Sequence, residues 1–250
     1  MSLAIPRLQV ITDETVQTRH SHAALAEMAA RGGADAVQFR EKRPWTTRER
    51  IEVARACLDA CTQHGTGHGT MLLIDDFADV ALAVGAGAIH LGRNDLDVTT
   101  ARRIVGPDVI IGGTANSYEE ATRVWATDID YIGVGPIYGT RSKASPAPDM
   151  GLDTLARICA DSPVPVVAIG SITAERIGEV IAAGAYGVAV LSAVVSADDP
   201  VEATRRCRTA LDASSSGNRV RRAIARGGGT MSTADEERRW RRTWRRGTRW

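Results

Sequence analysis

The sequence predicts an α/β fold, a closed (β/α)8 TIM barrel followed by a disordered, Arg-rich C-terminal tail, and three observations carry that expectation. Short β-branched or apolar runs alternate eight times with Ala-rich stretches of helical period, the pattern of βα units around a parallel sheet. Glycine-containing phrases of one kind recur where a helix gives way to a strand: Arg31-Gly32-Gly33-Ala34-Asp35, Val84-Gly85-Ala86-Gly87-Ala88 and Ala183-Gly184-Ala185-Tyr186-Gly187. Glycine is favoured just past a helix end because it accepts the left-handed conformation. The length of 250 residues suits one barrel of roughly 200 to 250 residues.

Taken in order, the first strand is expected at Arg7 to Ile11 and its helix near His22 to Arg31. An open dinucleotide-binding sheet would place GxGxxG after that strand, and Ile11-Thr12-Asp13-Glu14 stands there instead, which weighs against the doubly wound alternative. The second and third units pair Ala36 to Arg40 with Thr47 to Gln63, and Met71 to Ile74 with Ala78 to Val84. The fourth and fifth pair Ala88 to Leu91 with Thr99 to Val105, and Val109 to Gly112 with Tyr118 to Ala126. The last three pair Tyr131 to Val134 with Leu152 to Ala160, Val166 to Ile169 with Ala174 to Ala183, and Gly187 to Leu191 with Pro200 to Leu211. Strict β-then-α order through eight units favours closure. Beyond Asp212 the composition turns to Ser-Ser-Ser-Gly and then to arginine, so the barrel is assigned to residues 1–212 and a basic low-complexity tail to 213–250.

Apolar residues make up 44%, charged residues 24% and aromatic residues 4% of the chain, so aliphatic side chains and alanine must build the core. No apolar run of about 18 residues is present, and Met1 to Val10 lacks a secretory pattern, so a cytoplasmic protein that does not enter a membrane is expected. Cys57, Cys61, Cys159 and Cys207 show no CxxC and fall in helical stretches, which reads as reduced packing residues. Net charge is +1, yet residues 218–250 hold 11 Arg against 3 acids, leaving 20 basic and 27 acidic residues, a balance of −7, on the rest. The barrel itself is therefore not expected to bind nucleic acid. The sequence leaves association into a homo-oligomer open.

Residues at the C-terminal ends of barrel strands face the catalytic mouth. The second strand runs into Gln38-Phe39-Arg40-Glu41-Lys42, where alternation sends Gln38, Arg40 and Lys42 to one side. Neighbouring cations suggest an anionic ligand, with a salt-bridged strand end as the plain alternative. The third strand ends in Asp75-Asp76, and the fourth leads into His90-Leu91-Gly92-Arg93-Asn94-Asp95. Carboxylates at adjacent strand tips suit Mg²⁺, although Asp76 and Asp95 could instead cap the helices that follow. His90 reads as a pocket hydrogen-bonder or a core histidine. The loop Tyr138-Gly139-Thr140-Arg141-Ser142-Lys143 offers hydroxyls and cations that can close over phosphate. Gly170-Ser171 and Leu191-Ser192 occupy the places where barrels hold phosphate on backbone N–H groups.

From Gln9 to about Ala197 these segments resemble the thiamine phosphate synthase family, on Val37-Gln38-Phe39-Arg40-Glu41-Lys42, Ile89-His90-Leu91-Gly92 with Asp95, Asp130 through Ile137, and Val166 through Gly170. The resemblance implies a magnesium-dependent transferase of thiamine biosynthesis that joins an aminopyrimidine methyl diphosphate to a thiazole phosphate and releases pyrophosphate. It places Gln38, Phe39, Arg40, Glu41, Lys42, Asp75, Thr114 and Lys143 around the pyrimidine diphosphate, with Arg40, Lys42 and Lys143 as the catalytic cations. Asp76 and Asp95 would hold Mg²⁺, while Thr140, Arg141, Ser142, Gly170, Ser171, Leu191 and Ser192 would hold the thiazole phosphate. The chain departs from the family pattern at Asp75 for Asn, Arg93 for Gln, Gly139 for Pro and Ser171 for Gly, and Asp75 brings a charge that a diphosphate would repel unless it is neutralised. A related thiazole tautomerase, the nearest alternative, uses a His in the segment after the fifth strand, where this chain reads Thr114-Ala115-Asn116-Ser117, and Asn116 cannot act as that base. A non-catalytic barrel that binds thiazole or thiamine phosphates is the third reading.

Overall fold

A computed structural model of the chain describes residues 4–67, 69–140 and 148–225. Eight parallel strands form a closed barrel in sequence order: β1 Leu8–Thr12, β2 Ala36–Phe39, β3 Met71–Asp75, β4 Ala88–Leu91, β5 Ile110–Ala115, β6 Tyr131–Val134, β7 Val166–Ile169 and β8 Gly187–Val190. Closure is made by β1 against β8, with Leu8 opposite Val188 and Val10 opposite Val190. Each strand lies within a few residues of its sequence expectation, because a fully buried strand in a parallel barrel is a near-continuous apolar run with no competing period.

Alternation along the strands makes two apolar layers. Ile11, Leu73, Ala88, Ile110, Tyr131, Val167 and Ala189 pack together inside the barrel. Val10, Val37, Ile74, Ile89, Ile132 and Val188 belong to the layer shared with the helices. Full burial of each such aliphatic side chain is worth roughly 1.5–3 kcal/mol.

The helices are α1 His22–Arg31, α2 Thr47–His64, α3 Ala78–Val84, α4 Val98–Val105, α5 Tyr118–Val124, α6 Gly151–Asp161, α7 Ile177–Ala182, α8 Ser192–Val195 and α9 Pro200–Ala225. Their starts follow local chemistry. Ser21, Asp97 and Ser117 cap α1, α4 and α5, and Thr46 with Glu49 forms a reciprocal capping box on α2. The stretch expected as one helix from Ala174 to Ala183 opens with a 3-10 turn, Ala174–Arg176, before α7. Helix α8 has no counterpart in the sequence reading, because four residues are too few to show a period. Helix α9 runs on to Ala225 rather than stopping near Leu211; serines cost a helix only a few tenths of a kcal/mol and one glycine about 1 kcal/mol, too little to end it. The tail expected to be disordered lies outside the described residues from 226 onward. Among the described residues no helix is long and apolar enough to cross a membrane.

Candidate active site

The tips of β2, β3 and β4 bring charges of both signs together. Arg40 follows β2 on its inward face and its guanidinium is clasped by Asp13, a buried carboxylate at the tip of β1. Asp13 is itself fixed by the Thr15 N–H and hydroxyl at 2.7 and 2.6 Å. Two residues on, Lys42 lies 2.8 Å from Asp75 and is hydrogen-bonded to Asp76. Arg40 Nε is 3.8 Å from the same Asp75 oxygen. The charge that Asp75 introduces is thus answered by two protein cations. Burial lowers the affinity of Lys42 for its proton, but Asp75 and Asp76 outweigh it and raise the pKa above the ordinary lysine value.

Asp76 takes a positive φ of 73°, and its N–H donates to His90 O at 3.0 Å. The residue before α3 is Phe77, with no side-chain cap, while Asp97 rather than Asp95 caps α4. Neither Asp76 nor Asp95 is therefore spent as a helix cap. Asp95 accepts from the Gly92 N–H at 2.6 Å, and a side chain at Gly92 would come within 2.7 Å of the Asp95 carboxylate and 4.0 Å of Asp76. That glycine leaves the space in which two carboxylates meet. Burial raises the pKa of both; the charge of Asp75 adds to the rise at Asp76 and Asp76 adds to it at Asp95, while the hydrogen bonds from Asp95 and Lys42 to Asp76 work the other way. A divalent cation between them would relieve that cost. No group of three or more His, Cys, Asp or Glu suited to a metal occurs among the described residues; a Mg²⁺ held by these two carboxylates would need substrate phosphates or water to complete its shell.

Below this rim the barrel interior is polar on one side. His90 on β4 is 3.0 Å from the Tyr131 hydroxyl and 2.8 Å from the Thr114 hydroxyl. Two glycines make room for this group. A Cβ at Gly112 would meet the Tyr131 ring at 2.2 Å, and one at Gly133 would meet His90 at 2.8 Å. His90 is thus a hydrogen-bonded barrel residue that orients Thr114.

The opposite rim is built from backbone. Gly170, after β7, has φ +109°, and a Cβ there would lie 2.5 Å from Pro136 Cα. Ser171 follows with φ 48° and donates its hydroxyl to Gly139 O at 2.9 Å. Arg176 donates to Ser171 O at 2.9 Å and stacks 4.4 Å from the Tyr138 ring centroid. Tyr138 in turn donates to Glu179 at 2.5 Å. Burial first, and Glu179 with it, pushes the Tyr138 hydroxyl up to about 12. Between these loops and the start of α8 lies a cavity of about 370 Å³ lined by Ser171, Ile172, Thr173, Arg176, Ser192 and Ala193.

Of the residues expected at the mouth, Arg40, Lys42, Asp75, Asp76 and Asp95 converge, and Ser171 and Ser192 line the cavity on the opposite rim. Gln38 and Thr114 lie on inward-facing positions of β2 and β5. Phe39 and Glu41 do not join them. Phe39 is fully buried in the outer apolar layer, edge-on to His22 with 4.7 Å between ring centroids. Glu41 is buried on that same outer side, where it accepts from Arg43 Nε at 2.9 Å and lies 3.2 Å from His22 Nε2. Burial opposes its ionisation, but the bonds from Arg43 and His22 prevail and bring its carboxyl down to about 2. Alternation explains both corrections: odd and even positions of one motif point to opposite faces. Thr140 closes the described part of its loop, and Arg141, Ser142 and Lys143 lie outside the described residues. Asp13 and Arg176 were missed; Asp13 sits two residues past Ile11 on the inward face, a strand-tip carboxylate of the same kind as Asp75.

Comparison with known proteins gives one consistent answer. A family model described as thiamine monophosphate synthase matches residues 8–194. A thiamine-phosphate synthase of Salinibacter ruber is 46% identical over 212 residues, covering 84% of this chain and 90% of that protein. The enzyme of the same description from Methanoculleus marisnigri is 43% identical over 206 residues, 82% of this chain and 95% of its own length. Among solved structures, a thiamine phosphate pyrophosphorylase from Pyrococcus furiosus superposes with a TM-score of 0.74 at 33% identity, covering 83% of this chain and 96% of that one. A 3-hexulose-6-phosphate synthase, 21% identical with a TM-score of 0.60, shares the fold alone.

Proposed function

The chain belongs to the thiamine monophosphate synthase family and is a transferase of thiamine biosynthesis, and from that premise we propose how its two rims divide the work. The charged rim of β2 to β4 binds the diphosphate of an aminopyrimidine methyl diphosphate. The backbone-built rim of β7 and β8 binds the phosphate of a thiazole phosphate. The carbon–oxygen bond to the diphosphate breaks, the thiazole nitrogen forms a bond to the same methylene carbon, and pyrophosphate leaves with the electron pair of the broken bond.

No side-chain nucleophile takes part in this reaction; the chain contributes charge and position. Arg40 and Lys42 neutralise negative charge that grows on the departing oxygens, and Lys143 is assigned the same role from the family pattern. Asp13 and Asp75 hold Arg40 and Lys42 at the mouth. Asp76 and Asp95 would hold Mg²⁺, which supplies further neutralisation to the diphosphate. Gln38 and the Thr114 hydroxyl, oriented by His90 at 2.8 Å, face the pyrimidine from inside the barrel. Ser171 and Ser192, which line the 370 Å³ cavity, and Gly170 and Leu191 beside them in sequence are assigned to the thiazole phosphate.

The observation that carries this reading is the convergence of Arg40, Lys42, Asp75, Asp76 and Asp95 from adjacent strand tips. Purified protein mixed with both substrates and Mg²⁺ is expected to release pyrophosphate and thiamine phosphate in equal amounts. Binding of thiazole phosphate without turnover would replace this reading with the non-catalytic barrel.

A further inference from the structure

We infer that Arg50, on the outer wall of the barrel, is a positioning residue that ties the loop carrying Lys42 to the loop carrying Asp76. This rests on the division of work proposed above. Arg50 lies in the first turn of α2. One arm of its guanidinium donates to Arg43 O at 3.0 Å, and the other donates to Trp45 O. The face of the same group covers the Phe77 ring, 4.2 Å from its centroid. Phe77 directly follows Asp75-Asp76, and Arg43 directly follows Lys42. One planar cation therefore grips the backbone after β2 and the ring after β3.

The geometry asks for arginine in particular. A guanidinium can point two N–H arms at two carbonyls while it stacks on an aromatic face, and an ammonium cannot do both. Arg50 Nε is buried with no hydrogen-bond partner among the described residues, as expected when the fork is oriented by the two carbonyls and the ring rather than by Nε. Inside the mouth the two loops meet through Lys42, which is bonded to Asp75 and Asp76, and farther out the Thr47 hydroxyl donates to Asp79 at 3.5 Å. The Arg43 N–H donates to Glu41 at 2.7 Å, and Asp76 N–H donates to His90 O. Arg50 supplies a link across the gap between them, outside the mouth. Its loss should let Lys42 and Asp76 drift relative to one another while leaving β7 and β8 untouched.

The test uses Arg50→Met and Arg50→Lys, with Phe77→Leu as an independent way to remove the stacking face. Hydrogen exchange followed by mass spectrometry should rise in residues 43–46 and 77–80 together, and stay unchanged around Gly170 and Ser192. In the same proteins, kcat/KM for the pyrimidine diphosphate should fall by about tenfold to a hundredfold, as a misplacement on the ångström scale would produce, with KM for thiazole phosphate unchanged within about twofold. Exchange rising at 43–46 alone, or a KM for thiazole phosphate that rises as much as that for the pyrimidine diphosphate, would overturn the inference. Should Arg50→Met fail to fold, Arg50→Lys and Phe77→Leu carry the same comparison. An inactive wild-type protein would refute the proposed reaction, whereas the exchange pattern would still decide whether Arg50 couples the two loops.

Discussion

The two rims of the barrel mouth solve one problem, binding phosphate, in opposite ways. On the β2 to β4 side, side chains do it: Arg40 and Lys42 are set among Asp13, Asp75, Asp76 and Asp95, with Asp13, Asp75 and Asp76 each paired to one of the two cations. On the β7 and β8 side, backbone geometry does it: Gly170 and Ser171 at positive φ, beside a four-residue helix and a cavity with few charged walls. A charged rim can stabilise charge that appears during reaction, while a backbone rim holds a phosphate whose charge stays constant. The first side should therefore govern turnover and the second binding.

The largest expected effect follows from that division. Asp76→Ala removes a carboxylate that the fold does not use as a cap, and kcat is expected to fall by roughly 10²- to 10³-fold with KM for thiazole phosphate little changed. Steady-state kinetics at saturating Mg²⁺ would check it, and full activity in the variant would remove Asp76 from the site. On the other rim, Gly170→Ala forces a Cβ to within 2.5 Å of Pro136 Cα at φ +109°. It should cost about 2–4 kcal/mol of stability through strain and overlap, measured by urea unfolding, and raise KM for thiazole phosphate more than it lowers kcat. A reversed pattern would exchange the roles of the two rims.

The smallest expected effect concerns acid. Behind the charged rim, burial keeps His22 below its ordinary 6.5, and Glu41 stands at about 2 instead of 4.5. Both folded values are depressed, so the stability they contribute is present above the unfolded values and is lost as pH falls, first through His22 from about 6.5 and then through Glu41 from about 4.5 toward 2. The loss should be on the order of 1–2 kcal/mol. Urea midpoints that stay constant between neutral pH and about pH 3 would contradict it.

The same contrast explains how much was legible in the sequence. Eight strands stood out because buried parallel strands are short apolar runs, and Arg40, Lys42, Asp76 and Asp95 stood out because charges at strand tips are unusual. Phe39 and Glu41 were drawn in by belonging to the same motif, although period two already sends them outward to His22. Asp13 escaped because no cation stands near it in sequence; its partner Arg40 is 27 residues away. Arg50 and Arg176 act through backbone carbonyls and aromatic rings, contacts that no local pattern announces. The second rim was read from its glycine and serines, but α8 was too short to show.

Pyrophosphate binding measured by calorimetry, with Mg²⁺ present, tests the central claim most directly when the wild type is set beside Lys42→Ala. The account predicts that pyrophosphate affinity falls by about tenfold or more while thiazole phosphate binds both proteins equally. Equal pyrophosphate affinity in the two, or a parallel loss for thiazole phosphate, would contradict it.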